Sequence, residues 1–241
     1  MAPDFLTLPD GRLAYQRLLG KKTAPGVVFL GGYASDMTGT KASFLAEHCM
    51  NANISLLRFD YQGCGASGGD FKQGTIGSWF QNALAAFSQL TEGPQILIGS
   101  SMGGWLGLML AMQQPERVKA FIGIAAAPDF TEELMWKEMT PDQRVLMERD
   151  GFIQDGHAPV TLALIKEARQ HLLLRDLIKL ACPVRLLQGM QDTEVPWQYT
   201  LRITEKITHD DVHMVFIKDG DHRLSRSQDL ELLWQTVGEF I

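Results

Sequence analysis

The sequence predicts an α/β protein with a mainly parallel twisted sheet, helices on both faces and a helical lid insertion. Three observations predict it. Short apolar runs of strand type alternate with helical patterns along most of the chain. Chemistry-bearing polar residues recur immediately after those runs, where parallel sheets bind ligands. One stretch, 129–174, breaks the alternation with a helical, Met-rich and charged pattern and without a convincing strand.

The elements follow in order. Residues 4–19 read as a hairpin turning at Pro9-Asp10-Gly11. Residues 26–30 form a buried strand that runs into Gly31-Gly32-Tyr33, and residues 40–51 carry helical periodicity. A strand over 54–59 ends at Asp60, a glycine-rich loop follows, and 75–90 is a helix. Residues 96–98 are a strand that stops at Gly99, and a helix starts near Trp105. A strand over 118–124 precedes the insertion. Strand 184–187, helix 197–207, strand 212–217 and helix 227–240 complete the chain. No internal repeat, linker or low-complexity tract divides it, so residues 1–241 are expected to form one domain with 129–174 as its lid.

Composition narrows the function. The 241 residues suffice for a sizeable core, and 45% hydrophobic with 21% charged residues is ordinary for a globular protein. A net charge of −6 without any basic run argues against nucleic acid as a partner. No apolar run reaches about 18 residues, so no membrane span is expected. Cys49, Cys64 and Cys182 are odd in number and lack metal-ligand spacing, which points to reduced thiols and no bound metal. The first residues show neither a signal-peptide pattern nor an Arg-rich transit pattern, so a cytoplasmic protein is expected.

Gly99-Ser100-Ser101-Met102-Gly103 has the spacing of a nucleophile elbow between strand and helix. A bare G-x-S-x-G arises by chance in roughly one chain of this length in ten, so its context must carry the assignment. A serine hydroxyl is a weak nucleophile until a base takes its proton and a third group orients that base. Asp192 follows strand 184–187 in a tight loop ending at Pro196, and His222 follows strand 212–217. An aspartate after a strand is commonly only a turn former, and a loop histidine is commonly only solvated. Here Ser101, Asp192 and His222 fall on successive strand ends in the order this architecture requires. Glu194 and Asp221 are the rival acids, and Glu194 reads better as a partner of the next helix dipole. His48, His157, His171, His209 and His213 are expected to be structural.

Two N–H donors must meet the negative charge that develops during acyl transfer. Met102, at a helix N-terminus, is one candidate, and Tyr33, after Gly31-Gly32, is the other. Gly63-x-Gly65 lacks the third glycine and the position of a dinucleotide fingerprint, so no cofactor is expected. Cys64 has no base tied to it. In the lid, Met135, Trp136 and Met139 either line an acyl pocket or dock the lid on the body.

The chain resembles the serine α/β-hydrolases, and within them it is similar to the palmitoyl-protein thioesterase / mycophenolic acid acyl-glucuronide esterase family. Gly31-Gly32-Tyr33, Gly39-Thr40-Lys41-Ala42, Arg58-Phe59-Asp60-Tyr61, Gly93 through Trp105, Arg185-Leu186-Leu187, Val195-Pro196-Trp197 and Asp221-His222-Arg223 carry the likeness. The resemblance implies an α/β-hydrolase fold with Ser101 as nucleophile, Asp192 as orienting acid and His222 as base. It also implies hydrolysis of S-acyl thioesters, S-acylated proteins among them, and of activated oxygen esters. A small-molecule carboxylesterase and a non-catalytic binding module on the same fold are the alternatives.

Overall fold

The computed structural model describes residues 2–156 and 158–241, and His157 lies outside the described residues. The chain opens with an antiparallel hairpin, β1 (Asp4–Leu8) and β2 (Gly11–Leu18). The strand–helix alternation then runs β3 (Gly26–Leu30), α1 (Thr40–Ala52), β4 (Leu56–Phe59), α2 (Ile76–Leu90), β5 (Gln95–Ser100), α3 (Met102–Gln113) and β6 (Val118–Ile124). The insertion holds a six-residue π-helical segment, Thr131–Trp136, then α4 (Pro141–Asp150), β7 (Phe152–Asp155), β8 (Ala158–Thr161) and α5 (Leu162–Ala168). Alternation resumes with β9 (Val184–Gly189), α6 (Gln198–Lys206), β10 (Val212–Ile217) and α7 (Ser227–Gly238).

The main sheet has eight strands in the order β1-β2-β4-β3-β5-β6-β9-β10. From β4 to β10 every pairing is parallel, and the opening hairpin joins β4 antiparallel. The period of two along a strand then decides which core each side chain enters. Val27 and Phe29 of β3, with Ile96 and Ile98 of β5, face α1 and α7. Val28, Leu30 and Leu97 face the opposite way, into a larger cluster with Trp79, Phe87, Trp105 and Leu106 from α2 and α3. Strands buried on both sides read as unbroken apolar runs, which is why these were visible in the sequence.

The insertion departs from the all-helical expectation. Residues 152–161 form a small antiparallel hairpin, β7 pairing with β8, separate from the main sheet. Pro159 argues against a strand by propensity. In a two-stranded ribbon each strand is an edge, and proline is tolerated there. Gly156, at φ +53, supplies the left-handed backbone of the turn.

Both ends of the insertion are fastened at one point. The buried Asp129 carboxylate accepts the Leu173 N–H at 2.7 Å and the Leu174 N–H at 2.9 Å. Tyr199 Oη donates to the Pro128 carbonyl at 2.6 Å, and Trp105 Nε1 donates to the His171 carbonyl at 3.0 Å. Burial raises the Asp129 carboxyl above the ordinary carboxylate value, against the pull of its two backbone donors. Asp129→Asn leaves one acceptor for two buried donors and should cost about 1–3 kcal/mol, read from urea unfolding midpoints.

Candidate active site

The end of β5 and the start of α3 are joined by Ser101 alone. Its backbone sits at φ +54, ψ −118, outside the regions open to most side chains, at a cost on the order of 1–3 kcal/mol. Hydrogen bonds over-determine that conformation. Ser101 N–H donates to the Ile124 carbonyl at 2.9 Å, and its own carbonyl accepts from Gly104 N–H at 2.8 Å and Ala127 N–H at 3.1 Å. The flanking glycines make the turn possible. A β-carbon on Gly99 would collide with the Gly103 carbonyl, and one on Gly103 with the Leu30 carbonyl. The half-buried Ser101 side chain is thereby held at the carboxyl edge of the sheet.

His222 Nε2 lies 3.2 Å from Ser101 Oγ, and His222 Nδ1 lies 2.8 Å from Asp192 Oδ2. The loops that present them are zipped together. Met190 N–H donates to the Ile217 carbonyl and Gln191 N–H to the Gly220 carbonyl, each at 2.8 Å. Lys41 Nζ donates to the Arg223 carbonyl, bracing the His222 loop from α1.

The Asp192 side chain is fully buried, and its acceptors are filled. Oδ1 takes the Glu194 N–H at 2.9 Å and the Val195 N–H at 2.8 Å, and Oδ2 takes Gln188 Nε2 at 3.0 Å besides His222. Burial pushes this carboxyl up. The hydrogen bonds from His222 and the two backbone N–H groups outweigh it and hold the group below the ordinary carboxylate value.

Gln188 is a residue the sequence reading missed. It is fully buried at the end of β9, where Nε2 meets Asp192 and the Val195 carbonyl while Oε1 accepts from Thr200 Oγ1 at 3.1 Å. One polar side chain closing an apolar strand was the available signal. The rival acids also separate. Asp221 accepts the Leu224 N–H at 2.9 Å, whereas Glu194 is not in the first turn of α6, which begins at Gln198. The Asp192 turn curls the chain back and leaves Glu194 Oε2 3.5 Å from His222 Nε2.

Gly32 reaches Ser101 closely enough that an added β-carbon would lie 3.4 Å from the Ser101 β-carbon, which sets the loop carrying Tyr33 beside the elbow. The Tyr33 ring packs on Phe71, Trp79 and Phe130, and Tyr33 Oη donates to the Pro159 carbonyl at 2.5 Å. That link to β8 was not legible in the sequence. Met139 and Trp136 belong to a small core within the insertion with Met147, Val160 and Ile165, while Met135 packs against both that core and the main one. Trp136 is flanked by the guanidinium groups of Arg144 and Arg169, 5.1 and 5.2 Å from its ring.

Asp60 spends its carboxylate on the N–H groups of Met37 at 2.6 Å and Ala66 at 2.8 Å, tying two loops together. Burial pushes the Cys64 thiol up to about 12, so it is not an activated nucleophile. Among the described residues no group of His, Cys, Asp and Glu is arranged to hold a metal ion.

Residues 27–182 match the family model described as alpha/beta hydrolase fold. The human palmitoyl-protein thioesterase ABHD10, mitochondrial, is 38% identical, over 98% of this chain and 79% of that protein. Mouse alpha/beta hydrolase domain-containing protein 10 superposes with a TM-score of 0.92 at 38% identity, covering 99% of this chain and 98% of that one. A crystal structure from Agrobacterium vitis S4 superposes with a TM-score of 0.93 at 34% identity, covering 99% and 97%. The expectation of a cytoplasmic protein is corrected by these relatives. The human, mouse and cattle relatives are named as mitochondrial, and the cytoplasmic expectation does not stand. That expectation rested on the lack of a targeting pattern in the first residues, and a missing pattern does not decide a compartment.

Two outcomes follow from this geometry. Gly103→Ala forces the elbow off the Leu30 carbonyl and should lower stability by about 2 kcal/mol or more, measured by thermal unfolding. Asp192, with its folded value depressed, stabilises the native state above the ordinary carboxylate value of 3.8, and that stabilisation fades as pH falls below it. Urea midpoints of the wild type and Asp192→Asn should therefore differ most well above 3.8 and draw together as pH falls progressively below it.

Proposed function

The chain belongs to the α/β-hydrolase family, and on that footing we propose that it is a serine hydrolase cleaving acyl thioesters and activated esters through an acyl-enzyme. One observation carries the reading: a single imidazole touches Ser101 Oγ on one nitrogen and the buried Asp192 carboxylate on the other.

Asp192 accepts the Nδ1–H of His222, which leaves Nε2 bare to receive the Ser101 proton. Ser101 Oγ attacks the acyl carbonyl carbon and forms a tetrahedral oxyanion. The N–H groups of Met102 and Tyr33 receive that oxyanion, Met102 from the start of α3 and Tyr33 from the loop beside the elbow. The carbon–sulfur or carbon–oxygen bond then breaks, and the proton on Nε2 passes to the leaving group. Water, deprotonated by His222, attacks the acyl-enzyme, releases the carboxylic acid and restores Ser101. A thiolate needs less protonation than an alkoxide, so one site serves both bond types.

The substrate class follows the relatives, which are named as palmitoyl-protein thioesterases. The insertion 129–174 acts as a lid over the acyl chain. Met135, which bridges the two apolar clusters, contributes to the acyl pocket, and Trp136 and Met139 support it from the lid core. No helix in the described residues is long and apolar enough to cross a membrane.

Ser101→Ala should lower turnover of an S-acyl peptide and of a p-nitrophenyl ester by about 10⁴-fold or more. A fluorophosphonate should label the wild-type protein on Ser101. Folded protein that takes no label and retains ligand binding would support the binding-module alternative instead.

A further inference from the structure

The mechanism gives His222 Nε2 the last contact with the leaving group, and a second carboxylate stands at that same nitrogen. Glu194 Oε2 lies 3.5 Å from Nε2, on a side chain 69% exposed. Its backbone is pinned, because Glu194 N–H donates to Asp192 Oδ1 at 2.9 Å and Val195 N–H to the same oxygen at 2.8 Å. The acid loop thus sets one carboxylate, Asp192, on the buried edge of the imidazole and another, Glu194, on its solvent edge.

The two groups have different work. Asp192 is buried and filled with donors, so it orients the ring. Glu194 does not orient the resting ring, since an unprotonated Nε2 has no hydrogen to offer a carboxylate. Its charge faces the path by which the leaving group departs. Among the described residues it is the exposed carboxylate within ion-pair distance of His222. Of the other charged groups around His222, Asp221 is on the Leu224 N–H, Asp219 pairs with Arg226 and Lys41 of α1 donates to the Arg223 carbonyl, while the Arg223 side chain is exposed.

We propose that Glu194 selects substrates by the charge carried near the leaving group. It disfavours thioesters whose thiol bears phosphate or carboxylate groups and favours acylated cysteines in basic peptide segments. This rests on the hydrolase reading above and names the leaving-group side of that site. A leaving atom within hydrogen-bond reach of Nε2 lies within roughly 7 Å of the Glu194 carboxylate, and one unit charge there changes binding about 3- to 10-fold in a solvent-rich setting.

The test uses three peptides carrying the same S-octanoyl cysteine, flanked by lysines, by glutamates or by serines. We expect wild-type kcat/KM to favour the lysine over the glutamate peptide about 10-fold or more at low salt. Glu194→Gln should bring that ratio close to one, and Glu194→Lys should invert it. Salt at about 0.5 M should erase the wild-type preference, which a merely structural role of Glu194 would not show. Turnover by wild type with the same lysine-to-glutamate ratio in Glu194→Gln overturns the proposal alone. No turnover of any peptide by folded wild type overturns the hydrolase reading as well.

Discussion

Everything at the candidate site depends on how closely α3 approaches the ends of β3 and β5. Gly99 and Gly103 bring backbone against backbone at a distance that no β-carbon allows. That approach forces Ser101 to carry the whole reversal at φ +54. The strain is retained because the Ile124 carbonyl at the end of β6 and the N–H groups of Gly104 and Ala127 hydrogen-bond the turn. A looser elbow would relieve the serine backbone and withdraw its hydroxyl from His222. The same proximity also puts the Gly32 loop beside Ser101, so the elbow and the loop carrying Tyr33 are set by one packing constraint.

Electrostatics is arranged in depth along the imidazole. Asp192 is buried where an isolated carboxylate would be costly, and four donors, Gln188, His222 and the N–H groups of Glu194 and Val195, keep it ionised there. Gln188 is in turn held by Thr200. The orientation of the ring is therefore inherited from β9 and α6 through the loop on which Asp192 sits. Toward solvent, Glu194 meets the other nitrogen under screening, where a charge weighs on what passes rather than on stability.

The insertion joins the body through polar bonds at a neck and apolar contacts beyond it. Asp129 closes the neck by holding both ends of the segment. Tyr33 reaches from the loop beside Ser101 into the β7–β8 hairpin, with Lys72 Nζ 3.7 Å from the centre of the Phe152 ring nearby. A movement of the hairpin is thus mechanically connected to the loop beside Ser101.

By itself the sequence determined the alternation of strands and helices, the place of the elbow and which three residues, Ser101, Asp192 and His222, to expect in contact. Each is encoded within a few residues, as an apolar run, a glycine spacing or a polar residue after a strand. Local periodicity carries no information about partners far along the chain. The Ser101–His222 contact spans 121 positions and the Tyr33–Pro159 bond 126, so their distances exist only after folding. The β7–β8 hairpin was hidden for a related reason: its four-residue strands are too short to show a period, and pairing with each other makes them strands. Gln188 behind Asp192 and Glu194 before His222 were likewise decided by tertiary structure, because a buried carboxylate must gather donors and the turn that supplies them aims the next side chain.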